Sequence, residues 1–99
     1  MIRCSNCGRN IDRPAVVSIA GSIMGDEYIE TFYRCPWCDL YTVEILHDRF
    51  LGEAEGSLRS PIPQPEGSAI VQRIKQCSEP RNKKCRCDVR QEYFGYALD

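Results

Sequence analysis

Seven cysteines and one histidine stand out in this 99-residue chain, because thiolate and imidazole are the side chains that hold borderline and soft metal ions. Four of the cysteines form two Cys-x-x-Cys pairs, Cys4 with Cys7 and Cys35 with Cys38. One tight turn of this spacing presents two sulfurs to one ion. Two such turns supply the four ligands that tetrahedral zinc prefers. Gly8, directly after Cys7, allows the backbone to turn beneath an ion. A disulfide framework competes for the same residues. Two features weigh against it. The opening residues, MIRCSNCGRN, carry no apolar signal-peptide core, and an odd number of cysteines cannot close as pairs. The expectation is therefore a cytoplasmic chain with reduced thiols that bind metal.

Cys77, Cys85 and Cys87 remain, with His47. Together with the first four they make eight ligands, enough for two tetrahedral ions, and a Cys3His site from these residues would pin the tail onto the N-terminal part. Their bland alternatives are plain. Cys77 lies on the apolar face of an expected helix and could be core, His47 could be a surface or capping residue, and Asp88 or water could be the fourth ligand instead. One zinc ion is expected, with room for a second. Arg81, Lys83, Lys84 and Arg86 surround these cysteines. They read either as a solvated loop that steadies thiolates or as a contact patch for phosphate or an acidic partner.

The elements that must position these ligands follow from pattern. Residues 14–20 (PAVVSIA) are rich in β-branched side chains, and residues 28–34 (YIETFYR) alternate as a strand should. Gly21 and Gly25-Asp26 offer turn or bulge positions between them. Residues 41–46 (YTVEIL) form a third strand candidate, although Leu40, Val43, Leu46 or His47, and Phe50 also fit a helical stripe. The 27 residues from Gly8 to Arg34 suffice for a hairpin that brings the two cysteine pairs to the same end. Residues 48–67, with alternating prolines at Pro61, Pro63 and Pro65, read as an extended connector. Residues 68–76 form a short helix, capped by Ser68 and carrying Ile70, Val71, Ile74 and Cys77 on one face. The apolar end, residues 93–98, should pack back as an additional strand. The organisation expected is thus a unit at 1–47, a connector at 48–67 and a helix with a cysteine-containing tail at 68–99.

This arrangement of knuckle, hairpin, knuckle and third strand resembles the zinc-ribbon family over the first half of the chain. The resemblance implies a small α+β, metal-stabilised fold: an antiparallel three-stranded sheet followed by one short helix and the tail. It departs from the family at Asp39, where the second knuckle often carries glycine. The Cys4-to-Gly8 turn and Cys35-Pro36-Trp37-Cys38 also resemble rubredoxin, which implies iron and electron transfer. A third resemblance, of the CPWC stretch to glutaredoxin-type dithiols, implies thiol–disulfide oxidoreductase chemistry. That reading needs a helix directly after the motif to lower a thiol pKa, and the β-branched run after Cys38 does not supply one.

No nucleophile–base pair and no phosphate loop is visible, and a four-thiolate site has no open coordination position. The formal net charge of −1 gives no global bias toward nucleic acid. Acids dominate residues 39–55, where Asp39, Glu44, Asp48, Glu53 and Glu55 face only Arg49, and the chain beyond Gly67 is mildly basic. No stretch is apolar enough for a membrane span. The function expected is a non-catalytic interaction module for a protein or nucleic acid. Trp37, Tyr28 and Phe32 are its candidate contact aromatics, with burial as the alternative.

Overall fold

A computed structural model describes residues 2–49, 52–82, 85 and 87–95. Strands β3 (Val17–Ile23) and β4 (Asp26–Arg34) follow the short strands β1 (Ile2–Arg3) and β2 (Asn10–Ile11), and β5 (Tyr41–Asp48) and β6 (Glu55–Leu58) come next. Helices α1 (Gln64–Lys75) and α2 (Asp88–Tyr93) complete the chain. β1 and β2 form a small ladder, and β3-β4-β5-β6 form an antiparallel meander.

The register follows from the side chains. Val17 pairs with Phe32 and Phe32 with Val43, so one face collects Ile19, Phe32, Tyr41 and Val43, all buried. Alternation along each strand puts Ser18 and Thr31 on the other face, where their hydroxyls are 3.0 Å apart. The β3–β4 turn falls at Met24-Gly25, one residue before the expected position. Both residues have positive φ, 52° and 88°, the signature of a type I′ hairpin. Gly21 is not a turn residue; it lies inside β3, opposite Tyr28.

Three expectations are corrected. The sheet has four strands, not three, because Glu55–Leu58 within the expected connector pairs with β5, Glu44 facing Leu58 and His47 facing Glu55. α1 begins at Gln64, not Ser68. Pro63 caps it and Pro65 stands in its first turn, where a missing N–H costs nothing. Ser68 is inside the helix, its hydroxyl 3.1 Å from that of Tyr41 and 2.8 Å from Gln64 Nε2. Finally, residue 93 ends a helix rather than joining a strand. Gly95, at φ 66°, then turns the chain in the left-handed region. Tyr96, Ala97 and Leu98 lie outside the described residues, as does Phe50.

α1 lays Gly67, Val71 and Ile74 against the sheet core, and Tyr93 and Phe94 pack beside them. The outer edge of β3 is covered too. Ala20 N–H donates to the Pro80 carbonyl at 2.8 Å, and the buried Arg90 guanidinium donates to the Ala20 carbonyl through Nε at 3.0 Å and through Nη2. Covering these groups removes a free pairing edge.

Candidate metal centre

The two knuckles are built alike. In the first, Cys4 N–H donates to the Arg9 carbonyl at 2.9 Å and Gly8 N–H to the Cys4 carbonyl at 3.1 Å. In the second, Cys35 N–H donates to the Leu40 carbonyl and Asp39 N–H to the Cys35 carbonyl, both at 3.0 Å. The residue after the second cysteine of each knuckle has positive φ: 76° at Gly8 and 59° at Asp39. Asp39 thus holds in the second knuckle the left-handed conformation that Gly8 holds in the first. Aspartate tolerates the left-handed region better than most residues, and the Arg34 guanidinium holds its carboxylate through Nε at 2.7 Å and through Nη2.

The β1–β2 ladder carries the first knuckle, and the β4–β5 connection carries the second. Ser5 locks them together, its N–H donating to Thr42 Oγ1 at 3.0 Å with its hydroxyl 3.2 Å from the same atom. Cys4, Cys35 and Ile11 are buried in a small core of their own.

All four sulfurs, of Cys4, Cys7, Cys35 and Cys38, lie within 4.8 Å of one another. Cys4 Sγ is 3.5 Å from Cys38 Sγ, and Cys7 Sγ is 3.7 Å from Cys35 Sγ. A tetrahedron with metal–sulfur bonds of about 2.3 Å has edges of about 3.8 Å, so the donor set could hold a metal ion. Burial alone would raise the Cys4 thiol. The backbone N–H groups of Cys7 and Asn6 and the thiols of Cys38 and Cys7 outweigh it, and its pKa falls from 9.0 to about 6. Asn6 N–H stands 3.4 Å from that sulfur. The Cys38 thiol is pushed up, chiefly by burial, against an opposing N–H from Leu40. Both elements of this pattern, desolvated sulfur and N–H donors aimed at it, suit thiolate bound to a cation.

Cys77, Cys85 and Cys87 form a second group, also within 4.8 Å of one another. His47 is not part of it. Its Nε2 is 2.9 Å from Asp26 Oδ2, and its ring stacks on Tyr28 with centroids 4.3 Å apart. The reason is positional: His47 stands on β5, with β4 between it and β3, whereas the segment carrying the second group is bonded to the outer edge of β3. Asp88 is likewise outside the group. The Cys77 thiol is pushed up to about 12, first by burial and then by the neighbouring thiols.

Of the candidate aromatics, Phe32 is fully buried and Tyr28 half-buried, while Trp37 is 51% exposed. The Arg9 guanidinium lies over the Trp37 ring, 5.3 Å from its centroid, so the two knuckle tips touch. Arg81 is exposed; Lys83, Lys84 and Arg86 lie outside the described residues. Sequence reasoning missed Arg90, 1% exposed, and Glu30, 5% exposed, which accepts from Tyr93 at 2.5 Å and pairs with Arg59 at 2.8 Å. Nothing local marks either residue, since the Ala20 carbonyl that Arg90 meets and the Tyr93 and Arg59 side chains that Glu30 meets are distant in sequence. Among the described residues, no helix is long and apolar enough to cross a membrane. Comparison with protein-family models, with curated proteins and with solved structures finds no match.

Proposed function

We propose that the chain is a non-catalytic zinc-binding module of the zinc-ribbon type, working in a reducing compartment such as the cytoplasm. Zinc held by Cys4, Cys7, Cys35 and Cys38 pins the β1–β2 ladder to the β4–β5 hairpin. The knuckle surface so formed meets a protein or nucleic-acid partner. The observation that carries this reading is the matched pair of knuckles with four sulfurs within 4.8 Å of one another, two of the separations close to a tetrahedral edge. The ligand set is closed, which suits a structural ion rather than a catalytic one. The Trp37–Arg9 pair is the exposed contact, since aromatic and arginine side chains are enriched where interfaces form. Arg81 is exposed, and the basic run Arg81, Lys83, Lys84 and Arg86 in the sequence offers a separate contact if the partner is a polyanion.

Elemental analysis of protein purified without added metal tests the first half, with the visible spectrum alongside. Zinc and no colour supports the reading; iron with strong visible thiolate absorption makes the chain a rubredoxin-like electron carrier instead. For the second half, Trp37→Ala combined with Arg9→Ala should keep the metal and lose the partner. Binding that weakens steeply with salt marks a nucleic acid, and binding indifferent to salt marks a protein. Partner binding unchanged in the double variant overturns the assignment of the knuckle surface.

A further inference from the structure

The three cysteines outside the first centre are gathered from two elements. Cys77 stands just beyond the C-cap of α1, its N–H donating to the Ile74 carbonyl at 3.0 Å, and it is buried. Cys85 and Cys87 precede α2 and are half-buried. Cys77 Sγ is 3.7 Å from Cys85 Sγ, close to a tetrahedral edge, and 2.9 Å from Cys87 Sγ. The sulfurs receive backbone N–H groups as those of the first centre do, Cys77 from Glu79 and Cys87 from Arg90.

Arg90 gives an independent indication. Its guanidinium is 1% exposed and, among the described residues, bonds to main-chain carbonyls, those of Ala20 and Cys85. Among the described residues, no carboxylate forms an ion pair with it. A buried cation needs a negative neighbour, and the thiol groups beside it are the groups at hand. Three thiolates on a divalent ion carry one net negative charge, which the guanidinium offsets.

The fourth ligand cannot be another thiolate or imidazole of this chain. The other four cysteines are gathered in the first centre, and the only histidine is bonded to Asp26. We propose that Cys77, Cys85 and Cys87 bind a second zinc ion through three thiolates, leaving a fourth position that water occupies and an external thiol can take. The proposal goes beyond the structural ion at Cys4, and it stands if that ion proves to be iron. Three protein ligands with one open position is the arrangement that lets bound zinc exchange a ligand.

Cadmium-113 NMR of the full chain, loaded with that ion and free of thiol reductant, tests this. The expected spectrum has two resonances, one at the position of four-sulfur coordination and one upfield, where three sulfurs and an oxygen place it. Adding 2-mercaptoethanol should move only the upfield signal, toward the four-sulfur position. Cys85→Ser should remove that signal and leave the other. Cys77→Ser should do the same, and Cys85, the less buried, guards against a variant that fails to fold. A single resonance from the wild-type chain overturns the second site. Two four-sulfur resonances, or an upfield signal that ignores the added thiol, overturn the open position.

Discussion

Asp39 offers a sharp test of how the second knuckle is built. It holds φ 59°, a conformation that costs an L-residue with a Cβ about 1–2 kcal/mol relative to glycine. Glycine has greater freedom in the unfolded chain, which offsets about 0.4–1 kcal/mol of that. Asp39→Gly and Asp39→Ala both remove the bond to Arg34, so that loss cancels between them. The pair is itself weak, because its side chains are 46% and 61% exposed and exposed pairs contribute about 0.2–1 kcal/mol. The glycine variant should therefore be more stable than the alanine variant by about 0.5–1 kcal/mol. If this unit holds zinc as proposed, ion binding and folding are linked, and the same difference should appear as a roughly two- to fivefold tighter apparent zinc affinity. Competition against a chromophoric chelator measures it, followed by emission of Trp37, the single tryptophan, which sits in the same knuckle. Asp39→Asn, which keeps left-handed tolerance but loses the charge, reports the Arg34 contribution alone. Equal affinity of the alanine and glycine variants would refute the claim that positive φ at this position supports the site.

Other perturbations follow from the same geometry. Gly67→Ala would ordinarily steady a helix by about 1 kcal/mol, but the new Cβ would stand 2.2 Å from the Tyr41 ring. The net effect should be a loss of about 1–3 kcal/mol, and a raised thermal midpoint would contradict the α1 docking. Tyr93→Phe removes the donor to the buried Glu30 carboxylate, which keeps Arg59. It should cost about 1–3 kcal/mol, seen as a shift of about 4–8 °C per kcal/mol in thermal midpoint. For pH, the folded-state pKa of Cys4 lies near 6 against 9.0 for the free thiol. Its contribution to stability is full above pH 9, declines on acidification and is gone below about 6. Bound metal, which also favours thiolate, acts with the same sign. Melting followed between pH 9 and 6 should show the midpoint falling; a rising midpoint would contradict this.

Much of the frame is legible in the sequence because period-2 patterns reveal themselves locally. YIETFYR alternates across a pleat and becomes β4, and the β-branched YTVEIL becomes β5 against its helical alternative. The four cysteines that the fold gathers first are readable because a Cys-x-x-Cys turn is a local device repeated twice. What escaped was decided by tertiary contact. Glu55–Leu58 is exposed and polar, with no pattern of its own, and is a strand only because β5 offers it an edge. The helix start at Gln64 hides behind prolines that suggest an extended path, although proline suits a first helical turn. His47 looked like a ligand by arithmetic on donors, whereas Asp26 and Tyr28 occupy it across the hairpin. Arg90 was silent because its meaning lies in a strand edge seventy residues away.

The most direct test of the structural ion is the amide NMR spectrum of the zinc-loaded chain before and after removal of metal by a chelator, with metal content checked at each stage. If zinc at Cys4, Cys7, Cys35 and Cys38 supplies folding energy to the two knuckles, signals from residues 2–49 collapse toward random-coil positions and return when zinc is restored. A metal-free chain that keeps its native dispersion over those residues would contradict that role.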